Sequence, residues 1–182
     1  MRIIYVLFIY VLNTSLCFSQ DNPGIYKSKD FIVWGTEELT WKDFRGPVLS
    51  KDFDAGTYGG ISYYKEKNGG LFWFAYFSKD KSWHSGETDY GLEHEKYHFN
   101  IVEIHARKLR KAISANKLSM KDTKKMSEYI NKIWAECEAM QNAYDKETKH
   151  SKNKKKQIEW EKKIDIELDK LKAFSDITVH EY

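Results

Sequence analysis

The stretch that most constrains this chain is Leu92-Glu93-His94-Glu95-Lys96-Tyr97-His98-Phe99. Its His-Glu-x-x-His core asks for a helix, where residues four apart stack on one face. On a helix, His94 and His98 can hold one zinc ion, and Glu95 can face a water that the metal activates. That is the metal and general-base half of a metallohydrolase site. It demands a helix through this point, a layer to pack it on, and a third ligand from elsewhere.

The flanking sequence provides that helix. Thr88-Asp89 reads as its start. Leu92, Tyr97, Phe99, Ile101, Val102, Ile104, Leu109 and Ile113 supply apolar positions as far as about Ala115. Arg107, Lys108, Arg110 and Lys111 decorate its last turns, where cations suit the helix dipole. Ser119-Met120-Lys121-Asp122 resembles a capping box opening a second helix that runs to about Tyr144. Met126, Ile130, Ile133, Trp134, Cys137 and Met140 form its stripe. A third helix takes Gln157 to about Phe174.

Strand signals precede the helices. Phe31 to Trp34 is β-branched and aromatic, and Trp41 to Pro47 is rich in turn signals. Thr57 to Tyr64 and Leu71 to Ser78 form a hairpin, with Asn68-Gly69-Gly70 closing its loop. The order predicts an α+β domain: a small N-terminal antiparallel sheet followed by three helices, zincin-like in outline. At 182 residues the chain has room for one such domain.

Residues 1–19 are expected to be lost. Arg2 is followed by an uncharged apolar run from Ile3 to Leu12, then by Cys17 and Ser19 at the small-residue positions of a cleavage site. The run is too short to span a bilayer, which takes about 20 residues. The expectation is a cleaved signal peptide, a single domain over 20–182, secreted or periplasmic, with no stable membrane insertion. Only Cys137 would then remain, so no intramolecular disulfide is expected. A net charge of +3, with Lys and Arg matched by nearby acids along the helical half, excludes nucleic acid as an expected partner.

The third ligand is not on the first helix. His105 lies seven residues beyond His98, roughly 10 Å along a helix, whereas zinc–nitrogen bonds are about 2 Å. The long metzincin pattern needs Gly and His where Ile101 and Ile104 stand, so it is excluded. Glu103 is better placed to pair with Arg107 at i+4. Later candidates are Glu136, Glu138, Asp145 and His150. A second helix folded back on the first across a short loop brings its far end to His94. That favours Asp145 and His150, of which His150 is the natural nitrogen ligand and Asp145 can alternatively orient an imidazole.

Several blocks together resemble bacterial domain-of-unknown-function family 922, described as predicted secreted zinc-dependent proteases. They are Trp41 to Pro47, Lys81-Ser82-Trp83, Leu92 to Phe99, Ile104 to Arg110, Gln141 to His150, and Gln157 to Trp160. They fall in the family's order across most of the chain beyond residue 19. The family's pattern carries Tyr-Asp-x-x-Thr-x-His-Gly. Here Ser151 stands at the Gly, and Lys96 stands where the family tends to have Gln. The resemblance implies zinc at His94, His98 and His150, with Asp145 as the alternative third ligand.

The expected activity is hydrolysis of peptide bonds in a peptide or protein substrate, with Glu95 as general base. Tyr144 is the first candidate for an oxyanion donor, with Tyr90 and His84 behind it. An edge strand could seat the substrate, and Leu71 to Ser78 is the strand nearest the zinc helix. The alternatives are a non-catalytic zinc-binding cell-envelope interaction domain and an envelope protein with no metal.

Overall fold

The computed structural model describes residues 29–66 and 71–179. The expected leader and the Asn68-Gly69-Gly70 turn lie outside the described residues. The strands are β1 (Phe31–Val33), β2 (Ala55–Gly56), β3 (Gly59–Lys65), β4 (Leu71–Ser78), β5 (Trp83–His84) and β6 (Thr178–Val179). The helices are α1 (Asp89–Asn116), α2 (Thr123–Thr148) and α3 (Lys154–Lys170). The domain is α+β, a sheet region followed by three helices.

The apolar run of β4 makes it the centre of the larger sheet, since a strand with little polar character needs cover on both faces and edges. One edge pairs antiparallel with β3 from Gly59↔Phe77 to Lys65↔Leu71. The other edge pairs with β1 at Tyr76 to Ser78 and with β6 at Leu71 and Phe72. β4 therefore has no free edge for a peptide. β2 and β5 form a separate two-stranded ribbon. The terminal strand β6 leaves no mark in the sequence, because two residues carry no periodicity.

α1 crosses the sheet and is the spine of the core. Ile101, Ile104, Ala106 and Ile113 have no exposed surface, and Phe99 meets Phe77 of β4 with ring centroids 6.0 Å apart. Thr88 caps α1, its Oγ1 accepting from Gly91 N at 3.0 Å. α2 is capped by Asp122, which accepts from Lys125 N at 3.0 Å. Ser119 instead accepts from Lys121 N within the preceding turn, so the helix starts later than a Ser119 box implies. α2 continues past Tyr144 to Thr148, and α3 starts at Lys154 because Asn153 accepts from Lys156 N.

α2 packs back along α1, and α3 covers both. Among the described residues no helix is long and apolar enough to cross a membrane. Cys137 is buried, and burial pushes its thiol up to about 12, which makes it a small core residue rather than a ligand.

Candidate metal centre

The first turns of α1 hold His94 and Glu95 in the interior, at 3% and 5% exposure, with His98 half-buried one turn on. The two imidazoles turn toward each other, with His94 Nε2 and His98 Nε2 3.1 Å apart. The last turns of α2 lie against them. Asp145 Oδ1 is 3.2 Å from His94 Nε2 and 3.0 Å from His98 Nε2. Glu95 offers a ligand atom within 4.8 Å of those of both histidines.

The two imidazole nitrogens and the Asp145 oxygen form a near-equilateral triangle. Zinc bonds of about 2.0–2.1 Å in a tetrahedral arrangement put donor atoms roughly 3.3 Å apart. The observed sides of 3.0–3.2 Å fit that spacing. Two imidazole nitrogens and a carboxylate oxygen facing one point also need a cation or a proton between them, so the residues present fit a zinc ion.

The protonation pattern agrees. Gln141 Nε2 donates to His98 O at 2.9 Å, which turns Gln141 Oε1 toward His98 Nδ1. His98 Nδ1–H donates to that oxygen, so the neutral imidazole, once it gives up its second proton, has its Nε2 lone pair aimed at the triangle. Tyr144 stacks on the His94 ring at 4.6 Å and 22°, fixing its plane. In the metal-free chain burial opposes charge on His98, but the Asp145 carboxylate outweighs it and lifts the imidazole to about 9. Burial likewise opposes charge on Asp145, yet His98 and the hydrogen bonds from His150, His94 and His98 hold it well below the usual carboxylate range.

His150 joins the site from the turn after α2. Its Nδ1 is 3.3 Å from Asp145 Oδ1, and its ring meets Phe53 at 4.2 Å. Three successive residues are left-handed here: Lys149 at φ 53°, His150 at 50° and Ser151 at 69°. None is glycine, and such conformations cost on the order of 1–2 kcal/mol each. The Lys149 and His150 N–H groups both donate to Asp145 O, which locks the turn.

The cleft beside these residues has a volume of about 480 Å³. His94, Glu95, His98, Asp145 and His150 open on it. Two polar atoms of the site are buried without a partner, His94 Nδ1 and Glu95 Oε2. Of these, Glu95 Oε2 belongs to the carboxylate whose ligand atom lies within 4.8 Å of those of His94 and His98, whereas His94 Nδ1 is the ring nitrogen on the side away from the triangle.

Not every expected residue lies on the cleft. Tyr144 is fully buried, with its hydroxyl donating to His94 O at 3.4 Å, so it positions His94 rather than facing a substrate. Tyr90 and His84 are also absent from the cleft lining. His84 packs against the Trp41 and Phe44 rings. His105 packs inside α1 with its Nδ1 donating to Ile101 O, and burial drives it down to about 4. Glu136 pairs with Lys108 on the surface side. Sequence reasoning assigns Gln141 no role of its own. Its signal is the helical spacing that puts Gln141, Tyr144, Asp145 and Thr148 on one face of α2.

Residues 79–151 match the model of a family described as a bacterial protein of unknown function, DUF922. That stretch contains every residue of the site, from His94 to His150, and supports the family resemblance there. The family's description names no activity. No curated protein and no solved structure matches the chain.

Proposed function

We propose that this chain is a zinc-dependent metallopeptidase that works outside the cytoplasm. The observation that carries the reading is the triangle of His94 Nε2, His98 Nε2 and Asp145 Oδ1 with Glu95 beside it, all four residues lining one cleft. His94 and His98 would hold the metal, and the third donor comes from the Asp145–His150 pair. Asp145 Oδ1 stands at the third vertex, and His150 Nδ1 lies 3.3 Å from that same oxygen. Bound there, zinc would supply Lewis acidity toward a carbonyl and lower the pKa of water.

The chain's own groups would do the rest. Gln141 fixes the His98 tautomer, and Tyr144 fixes the plane of His94. Glu95 Oε2 takes the proton of the attacking water as its oxygen bonds to the scissile carbon. It then delivers that proton to the nitrogen as the carbon–nitrogen bond breaks. Glu95 Oε2 has no other hydrogen bond to give up for either transfer.

One observation favours a second reading. His150 beside Asp145 offers a fourth protein donor, and a site closed by four protein ligands is characteristic of structural zinc. Glu95→Gln separates the two. The metallopeptidase reading predicts unchanged zinc content and a loss of casein or peptide hydrolysis of about 10²–10⁴-fold. Unchanged hydrolysis in that variant, or none in the wild-type chain loaded with zinc, would refute it.

A further inference from the structure

The ribbon of β2 and β5 presents an edge to the cleft. Ser85 N–H donates to Asp54 O at 2.7 Å, so Asp54 and, two residues on, Gly56 direct their backbone groups at β5. Ala55, between them, turns its N–H and C=O away from β5. Among the described residues no strand pairs with that outer edge. Ala55, Gly56 and Thr57 all line the cleft that holds His94 and Glu95. Thr57 Oγ1 reaches Glu95 O at 3.5 Å, which ties this edge to the general-base residue. Gly56 has no room for a side chain, because a Cβ there would stand 2.8 Å from Trp83 Nε1. The strand is therefore kept flat against Trp83.

The same cleft has an apolar rim. Leu49 lines it while 61% exposed, and Val48 beside it is 51% exposed. Trp41 and Phe53 continue the wall, and Phe53 lies on the His150 ring. Exposed apolar side chains at the mouth of a cleft that also offers free backbone groups are the two halves of peptide recognition: strand addition for the backbone, an apolar wall for a side chain.

We infer that the cleft receives an extended peptide along the outer edge of β2, with a bulky apolar side chain packed on Leu49, Phe53 and Trp41. The inference rests on the metallopeptidase reading and names its substrate class: unfolded or extended segments carrying Leu- or Phe-like residues at the cleavage region. Acidic or glycine-only segments gain nothing from that wall.

The test uses the zinc-loaded full chain carrying Glu95→Gln, and fluorescent blocked hexapeptides that differ only at one central residue, Leu, Phe, Gly or Asp. Binding is read by fluorescence polarisation. Leu and Phe peptides are expected to bind about tenfold or more tightly than the Gly and Asp peptides, as an apolar side chain in an apolar pocket does. Leu49→Ser, at an exposed position, narrows that preference with zinc content unchanged. Methylating the backbone nitrogens of the Leu peptide weakens it about tenfold by removing strand hydrogen bonds. Equal binding of all four peptides, preference for Asp, or no binding by any of them overturns the inference. Selective binding by this variant alongside a wild type that cleaves none of these peptides leaves the inference and removes the peptidase reading. Cleavage by the wild type with no preference among them does the reverse.

Discussion

Helix α1 buries charged groups in two places, and the two are built differently. In its downstream half, Glu103 Oε1 accepts from Arg107 Nε at 2.8 Å and from Arg110 Nη2 at 2.6 Å. Other guanidinium donors of the pair reach Leu168 O, Phe174 O and Trp73 O at 2.7 Å each. This network ties α1 to β4, α3 and the chain beyond α3. In the upstream half, two imidazole nitrogens and a carboxylate oxygen converge, while His94 Nδ1 and Glu95 Oε2 have no partner. Similar burial thus serves two ends. The satisfied cluster fastens helix to sheet, and the unsatisfied one is left open for a ligand.

The sharpest way to break this comparison is the same substitution in both halves. Glu103→Gln leaves two buried guanidinium groups without their counter-charge and is expected to cost about 3–5 kcal/mol of unfolding free energy. Glu95→Gln alters a carboxylate whose Oε2 has no partner, so its cost in the metal-free chain is expected within about 1 kcal/mol. Urea denaturation of the two variants reads both, and similar losses would erase the distinction.

The next largest effect separates the two third-ligand candidates. Asp145→Ala removes a vertex of the triangle and is expected to abolish stoichiometric zinc binding. His150→Ala removes a group that touches Asp145 and is expected to weaken zinc by about 10–100-fold. Competition with a chromogenic chelator measures both. The reverse order would make His150 the ligand and Asp145 its support.

Protons compete with the metal in the upstream cluster. Burial opposes charge on His98, but Asp145 raises it to about 9 in the metal-free chain, so the imidazole is protonated at neutral pH. Ligation needs the neutral form, so each metal bound there releases that proton. Zinc affinity is expected to rise about tenfold per pH unit up to about 9 and to flatten above it. A chelator titration across pH 6–10 tests this, and a flat profile would contradict it. The smallest effect lies in the turn after α2. Ser151 is left-handed at φ 69°, and Ser151→Gly is expected to gain about 0.5–1 kcal/mol in thermal or urea unfolding.

Much of the site is legible in the sequence. The 3.6-residue spacing around His94 and His98 places α1, and a short loop after it requires α2 to return, which puts Asp145 beside His94. The i+4 pair of Glu103 and Arg107 is also readable, but the role of Arg110 is not, because its partners Phe174 O and Trp73 O are distant in sequence. The cleft wall is the least legible part. β2 is two residues long with glycine in it, and only pairing with β5 makes it a strand. The aromatic residues divide for the same reason. Trp34 donates to Asn100 and carries Arg107 on its ring, so it serves the core, whereas Trp41 lines the cleft. Nothing in local sequence distinguishes them.

Everything proposed for this chain depends on the upstream cluster of α1 holding zinc. The most direct measurement is zinc content per chain by elemental analysis, after exhaustive dialysis, for the wild type and for His94→Ala and His98→Ala. The expected result is one equivalent in the wild type and none in either variant, with the fold of all three retained by circular dichroism. A folded wild type without zinc, or variants that keep it, would contradict zinc binding at this cluster.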